Sequence, residues 1–185
     1  SHEIAHRHAA LAVLRSETFL SGFIHPRLLQ IPDAAFGFYP QAPGASEGDP
    51  GAAWLAAAGV PLDTGKPLLG VTLINWQAQN PNFSARQQAA YETAIQTVCR
   101  EFIQQTGGAV IFFTQVTGGT HAAQDNIPAA RSFAALRDLP GQVFHLPQPA
   151  APEILLAAYA HMDIFIGSRM HSNIFALLGG VPVLA

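Results

Sequence analysis

Arg169 and His171 stand two residues apart in the stretch GSRMHSNIFALLGGVP, residues 167–182 of a 185-residue chain. A strand-like apolar run precedes them at 162–166, and an apolar helix-like run begins near Ser172. A guanidinium at a strand's carboxyl end, beside the positive end of a helix, makes an anion site. An imidazole close by adds a group that exchanges protons near neutral pH. The same spacing allows a structural reading, in which Arg169 pairs with an acid such as Asp163 and His171 caps the helix.

Few other residues compete for chemistry. Charged residues make up 11% of the chain and the net charge is −3, so no basic face for nucleic acid is expected. Lys66 is the only lysine, which leaves anion recognition to arginine. The single Cys99 cannot form an internal disulfide; it reads as a small core residue, and the chain as cytoplasmic. No apolar run reaches the roughly 18–20 residues of a membrane span, and no signal-peptide pattern is visible. The eight histidines show no metal-ligand spacing, so no metal is expected. His121, in a Gly-rich loop, reads as solvated and Asp125 as a helix N-cap. Trp76 fits a sugar-stacking platform and a rim aromatic equally well.

The elements that would position these residues follow from periodicity. Apolar runs at 9–14 and 28–31 read as strands, with a short helix capped by Ser16 between them. A Pro/Gly-rich stretch at 41–66 reads as a linker. Beyond it, continuous apolar strands at 68–74, 109–115, 142–146, 162–166 and 182–184 alternate with helical patterns. In the pattern at 84–105, Ala89, Ile95, Val98 and Phe102 share one side. This alternation predicts an α/β fold with a parallel, doubly wound Rossmann-like sheet. In such sheets ligands bind beyond the strands' carboxyl ends. Those ends place Asn75 and Trp76, then residues 117–121, then Gln148, and finally Arg169, His171 and Ser172.

GSRMHSNIFALLGGVPVLA resembles the signature of the polysaccharide pyruvyl transferase family, Gly-Met-Arg-Leu-His-Ala followed by an apolar helix, Gly-Val-Pro and a strand. AVLRSETFL resembles that family's strand ending in arginine, and IPDAAF its Pro-Asp-Pro-Ala-Phe. Ser168 and Ser172 depart from the usual Met and Ala. The resemblance implies two Rossmann-like domains in a glycosyltransferase-B-like architecture. Residues 1–40 would then be the tail of the first domain, 41–66 the linker, and 67–185 the second domain, truncated at its C-terminus. Both ends read as cut. The family's downstream lysine would fall beyond Ala185, so a 185-residue fragment is expected to be inactive. Residues 1–40 would form an incomplete sheet exposing apolar surface near Leu11 and Val13.

The resemblance also implies a reaction. Phosphoenolpyruvate would donate its enolpyruvyl unit to a saccharide or lipid-linked saccharide of a cell-surface or exopolysaccharide precursor, giving a pyruvate ketal without any cofactor. Arg169 and Arg15 would bind the donor and His171 would act as general acid or base. Ser172, Asn75 and Trp76 complete the expected substrate contacts. Peripheral membrane association is compatible with such an acceptor. Two alternatives remain open on sequence: a nucleotide-sugar-dependent glycosyltransferase of the same architecture, and a non-catalytic carbohydrate-binding α/β domain.

Overall fold

The computed structural model describes Asp33, Ala35 and residues 48–116 and 124–185. The chain divides into two compact units, Ser1–Tyr39 and Pro40–Ala185. In the first unit the Ala35 amide donates to Asp33 Oδ1 at 2.9 Å, an Asx turn. The elements expected at 9–14, 16–20 and 28–31, the apolar surface near Leu11 and Val13, and Arg15 lie outside the described residues.

In the second unit the elements run α1 (Pro50–Ala57), β1 (Leu68–Thr72), α2 (Trp76–Gln79), α3 (Ala85–Thr106) and β2 (Ala109–Phe113). They continue with α4 (Asn126–Ala135), β3 (Val143–Leu146), α5 (Pro152–Tyr159), β4 (Ile164–Gly167), α6 (Met170–Leu178) and β5 (Val183–Leu184). The strands form one sheet in the order β3-β2-β1-β4-β5, and every pairing is parallel. This is the expected doubly wound α/β sheet. The central strands β1 and β2 are buried at every position, which is why they read as unbroken apolar runs.

Alternation divides the strand residues between two helical layers. Leu69, Val71, Val110, Phe112 and Val143 pack with Cys99 and Ile103 of α3, Ala129 of α4, and Leu136. On the other face Tyr159 of α5 wedges between Phe113 and Phe165, with ring centroids 4.8 and 4.5 Å away. Trp54 of α1 covers Phe113 at 6.0 Å.

Two readings of the sequence change. The buried residues of α3 are Gln88, Glu92, Cys99 and Ile103, whereas Val98 is 44% exposed and Ala89 is exposed. Ile95 and Phe102 of the expected face do pack against the core, so the inward stripe shares part of that face and adds two buried polar residues. The 41–66 stretch, expected as a linker, carries α1. Asp49 caps this helix by accepting from the amides of Gly51 and Ala52, both at 2.9 Å, and Pro50 fits its first turn. Gly51 lies so close to α5 that an added Cβ would come within 2.3 Å of the Ala158 nitrogen. Tight helix docking, not linker flexibility, accounts for that glycine.

Candidate active site at the β1–β4 switch point

The chain leaves β1 toward β2 and β3, then crosses back to place β4 on the other side of β1. Strand order reverses there, and in doubly wound sheets that is where the ligand crevice lies, beyond the carboxyl ends of β1 and β4. The Ser168 amide donates to the Thr72 carbonyl at 3.2 Å, carrying the ladder to its last rung. A Cβ on Gly167 would fall 1.6 Å from Asn173 Oδ1, so a larger residue there would displace the Asn173 side chain.

The main chain of Arg169 is clamped from two sides. Its carbonyl accepts from the Ser172 hydroxyl at 2.6 Å and from the Asn173 amide at 3.1 Å. Ser172 is fully buried, with its hydroxyl also 2.8 Å from Thr72 Oγ1. It therefore stands behind Arg169 and steadies it. The helix starts at Met170, two residues earlier than its apolar pattern suggests, with Arg169 at the N-cap making no side-chain capping bond.

The side chain of Arg169 does pair with a carboxylate, but with Asp125 and not Asp163. Nε donates to Asp125 Oδ2 at 2.9 Å and a terminal nitrogen donates to Oδ1 at 2.7 Å. Asp163 precedes β4 and accepts from the Leu68 amide at 2.7 Å, at the opposite end of the sheet. Asp125, read from sequence as an N-cap, makes no side-chain bond to α4. Its carboxylate is 1% exposed. Burial raises its pKa above the usual range, opposed by Arg169 and by the amides of Asn75 and Val116.

The pairing occupies one edge of the guanidinium. Arg169 stays 21% exposed, and its second terminal nitrogen makes no hydrogen bond among the described residues. His171 lies on the first turn of α6 and is exposed. The cation, the imidazole and the helix N-terminus share one turn, an arrangement suited to binding an anion and moving a proton beside it.

The β1 side is held by α3. Gln88 Nε2 donates to the Ile74 carbonyl at 3.2 Å and to Glu92 Oε1 at 2.7 Å. Glu92 is paired in turn with Arg131 of α4 at 2.5 Å. The Tyr91 hydroxyl accepts from the Ile74 amide at 3.3 Å and lies 2.5 Å from Ser168 Oγ. Burial raises the Tyr91 pKa, opposed by the Ser168 and Ile74 hydrogen bonds, so the group keeps its proton. Asn75 Oδ1 accepts from the Ala78 amide at 3.2 Å, which caps α2, and Trp76 lies against Phe83 at 6.2 Å. Both remain partly exposed beside the crevice.

His121 and residues 117–123 lie outside the described residues. Gln148 and His145 line a separate open groove of about 350 Å³ with Trp54, at the end of β3. Cys99 is fully buried and burial pushes its thiol pKa up to about 12, so it is an inert core residue. Among the described residues no group of three or more His, Cys, Asp or Glu side chains could hold a metal ion, and no helix is long and apolar enough to cross a membrane. Sequence reasoning missed the Asp125–Arg169 pair and the Gln88–Tyr91–Glu92 group. The signal available for the second was a pair of polar residues, Gln88 and Glu92, one helical turn apart on α3.

A family model described as polysaccharide pyruvyl transferase matches residues 15–185. Among solved structures, a hexameric APS kinase from Thiobacillus denitrificans is 20% identical, with a TM-score of 0.33 over 73% of this chain and 26% of that one. The chain thus spans about a quarter of that protein's length. None of the curated proteins compared matches it.

Proposed function

The chain belongs to the polysaccharide pyruvyl transferase family, and from that premise we propose that it serves transfer of the enolpyruvyl unit of phosphoenolpyruvate to two hydroxyls of one sugar. The acceptor is a saccharide of a cell-surface or exopolysaccharide precursor, and the product is a pyruvate ketal. In this scheme the enol methylene takes a proton and becomes the ketal methyl. One sugar oxygen adds to the adjoining carbon. The C–O bond to phosphate breaks, and a second sugar oxygen takes its place. One hydroxyl proton ends on the methyl group and the other on the released phosphate, so the equation balances without an oxidant or a metal.

Each step makes a demand that a residue of this site can meet. The donor's carboxylate and phosphate need fixed cations, which suits the open edge of Arg169 and the N-terminus of α6. By the family resemblance Arg15, which lies outside the described residues, would also bind the donor. The enol must gain a proton and the hydroxyl lose one, a task for the exposed His171. Asn75 and Trp76 offer an amide and an aromatic face to the acceptor.

The observation that supports this reading most is the placement of a partly exposed, fork-held Arg169 two residues from an exposed His171 at the switch point. The test is incubation with phosphoenolpyruvate and a panel of free mono- and disaccharides, following released phosphate and the ketal methyl signal by proton NMR. Phosphate release that requires both phosphoenolpyruvate and a saccharide, with the new methyl signal, is expected. Turnover of nucleotide sugars in place of phosphoenolpyruvate would overturn the proposal.

A further inference from the structure

We propose that Tyr91 is a positioning residue for Arg169, because its single hydroxyl ties the exits of β1 and β4 together across the crevice. The inference rests on the functional reading only for its kinetic consequence; the positioning itself is a property of the fold.

The oxygen of Tyr91 has two partners, one just beyond the end of β1 and one just beyond the end of β4. It accepts from the Ile74 amide at 3.3 Å and lies 2.5 Å from Ser168 Oγ. An amide can only donate, so the Tyr91 proton remains available for Ser168. Ile74 precedes Asn75, whose amide faces the Asp125 carboxylate closely enough to lower its pKa. Ser168 precedes Arg169, whose guanidinium grips the same carboxylate. Tyr91 therefore closes a ring: Tyr91, Ile74–Asn75, Asp125, Arg169–Ser168, and back to Tyr91. The β1–β4 ladder ends with the Ser168 amide donating to the Thr72 carbonyl. Beyond that rung the Tyr91 hydroxyl is the side-chain link that joins Ile74 to Ser168.

Tyr91 itself is anchored. It is partly buried against the core cluster of Leu69, Val71 and Cys99. The flanking Gln88 and Glu92 are buried and bonded to the Ile74 carbonyl and to Arg131. The ring is thus fixed to α3, and motion of Arg169 relative to β1 must strain or break the hydroxyl link.

The two arms of the ring predict an order of effects. Ser168→Ala removes only the β4 arm. Tyr91→Phe removes both arms and leaves the Ile74 amide without its acceptor. The experiment measures hydrogen exchange at Arg169 Nε–H by ¹⁵N NMR in the full chain, with the resonance assigned by its loss in Arg169→Lys. Exchange is expected to quicken roughly 3-fold in Ser168→Ala and 10-fold in Tyr91→Phe, as loss of a hydroxyl hydrogen bond allows. The double variant should match Tyr91→Phe, while core amides of β2 keep their wild-type exchange. In turnover, KM for phosphoenolpyruvate should rise in the same order with a smaller change in kcat. Unchanged Nε–H exchange in Tyr91→Phe overturns the proposal, as does acceleration shared equally by the β2 amides, which would mark Tyr91 as merely structural. Failure of the donor reading would show as absent turnover in the wild type and would leave the exchange result to decide this proposal.

Discussion

Arg169 and Asp125 lie 44 residues apart in sequence, yet they meet through two parallel hydrogen bonds of 2.9 and 2.7 Å, with the carboxylate nearly sealed from solvent. Asp125 follows the β2 exit and Arg169 follows β4, so the pair spans β1 between them. A fork of this kind fixes a guanidinium in direction as well as place, which a lysine could not reproduce. It also makes the site locally neutral before a ligand arrives, so donor recognition would draw on the free edge of Arg169 and on the start of α6.

Removing one partner exposes the cost of the other. Arg169→Ala leaves the buried Asp125 carboxylate unpaired, a change worth about 3 kcal/mol of stability near neutral pH. Burial already raises the Asp125 pKa from 3.8, and loss of Arg169 raises it further. A raised folded-state value means that stability is retained below the unfolded pKa and lost as pH climbs through the folded one. The Arg169→Ala deficit should therefore grow from about pH 4 toward neutrality, and Asp125→Asn in the same chain should remove most of it. Urea unfolding midpoints across that range provide the check, and a deficit independent of pH would contradict the argument.

His145 provides the opposite sign. Burial lowers its pKa from 6.5, and its Nε2 is buried with no hydrogen-bond partner among the described residues. A depressed folded-state value means that stability is present above the unfolded pKa and lost as pH falls through the folded one. His145→Phe keeps a ring beside Phe133, which lies 5.9 Å away. The variant should flatten the acid limb below pH 6.5 and gain on the order of 1 kcal/mol, because no buried nitrogen is left unpaired. Melting temperatures of wild type and variant at about pH 5 and pH 8 provide the check: a gain at both, larger at the lower pH, is expected, and a gain no larger there would contradict the argument.

The docking of α1 can be tested with a pair of glycines. Gly51→Ala would press a methyl group against the α5 backbone, while Gly48 has nothing within 4 Å of its added Cβ. Overpacking of this kind costs about 1–3 kcal/mol. Gly51→Ala is expected to lower stability by that amount and shift Trp54 emission to the red, whereas Gly48→Ala should do neither. Equal behaviour of the two variants would mean that α1 does not bear on α5.

How much could be read from residues alone depended on the range of the interaction. The five strands were legible because both faces of β1 and β2 are covered, which demands unbroken apolar runs. The turn at Gly167–Arg169 was legible because a strand, a tight turn and a helix follow one another within a few residues. Helix α1 was hidden by its composition: alanine, glycine and proline mark linkers as well as tightly docked helices. Its Asp49–Pro50 start was the signal to weigh more heavily. Asp125 was misread because capping is a local habit of aspartate, whereas its actual partner is set by strand order, which no local pattern encodes. The polar part of α3's inward face was missed for a related reason. Gln88 and Glu92 are buried because polar strand exits and Arg131 meet them there, and a hydropathy pattern counts such residues as surface.

The most direct measurement is steady-state turnover of phosphoenolpyruvate with a responsive saccharide, comparing the wild type, Arg169→Lys and His171→Ala in the full protein. Arg169→Lys should raise KM for phosphoenolpyruvate more than it lowers kcat, because an ammonium cannot present the open edge of a guanidinium. His171→Ala should lower kcat by roughly 10²–10⁴-fold with donor binding largely retained, as removal of a general acid or base does. Wild-type turnover in His171→Ala, or an unchanged KM in Arg169→Lys, would contradict the placement of phosphoenolpyruvate chemistry at the β1–β4 crevice.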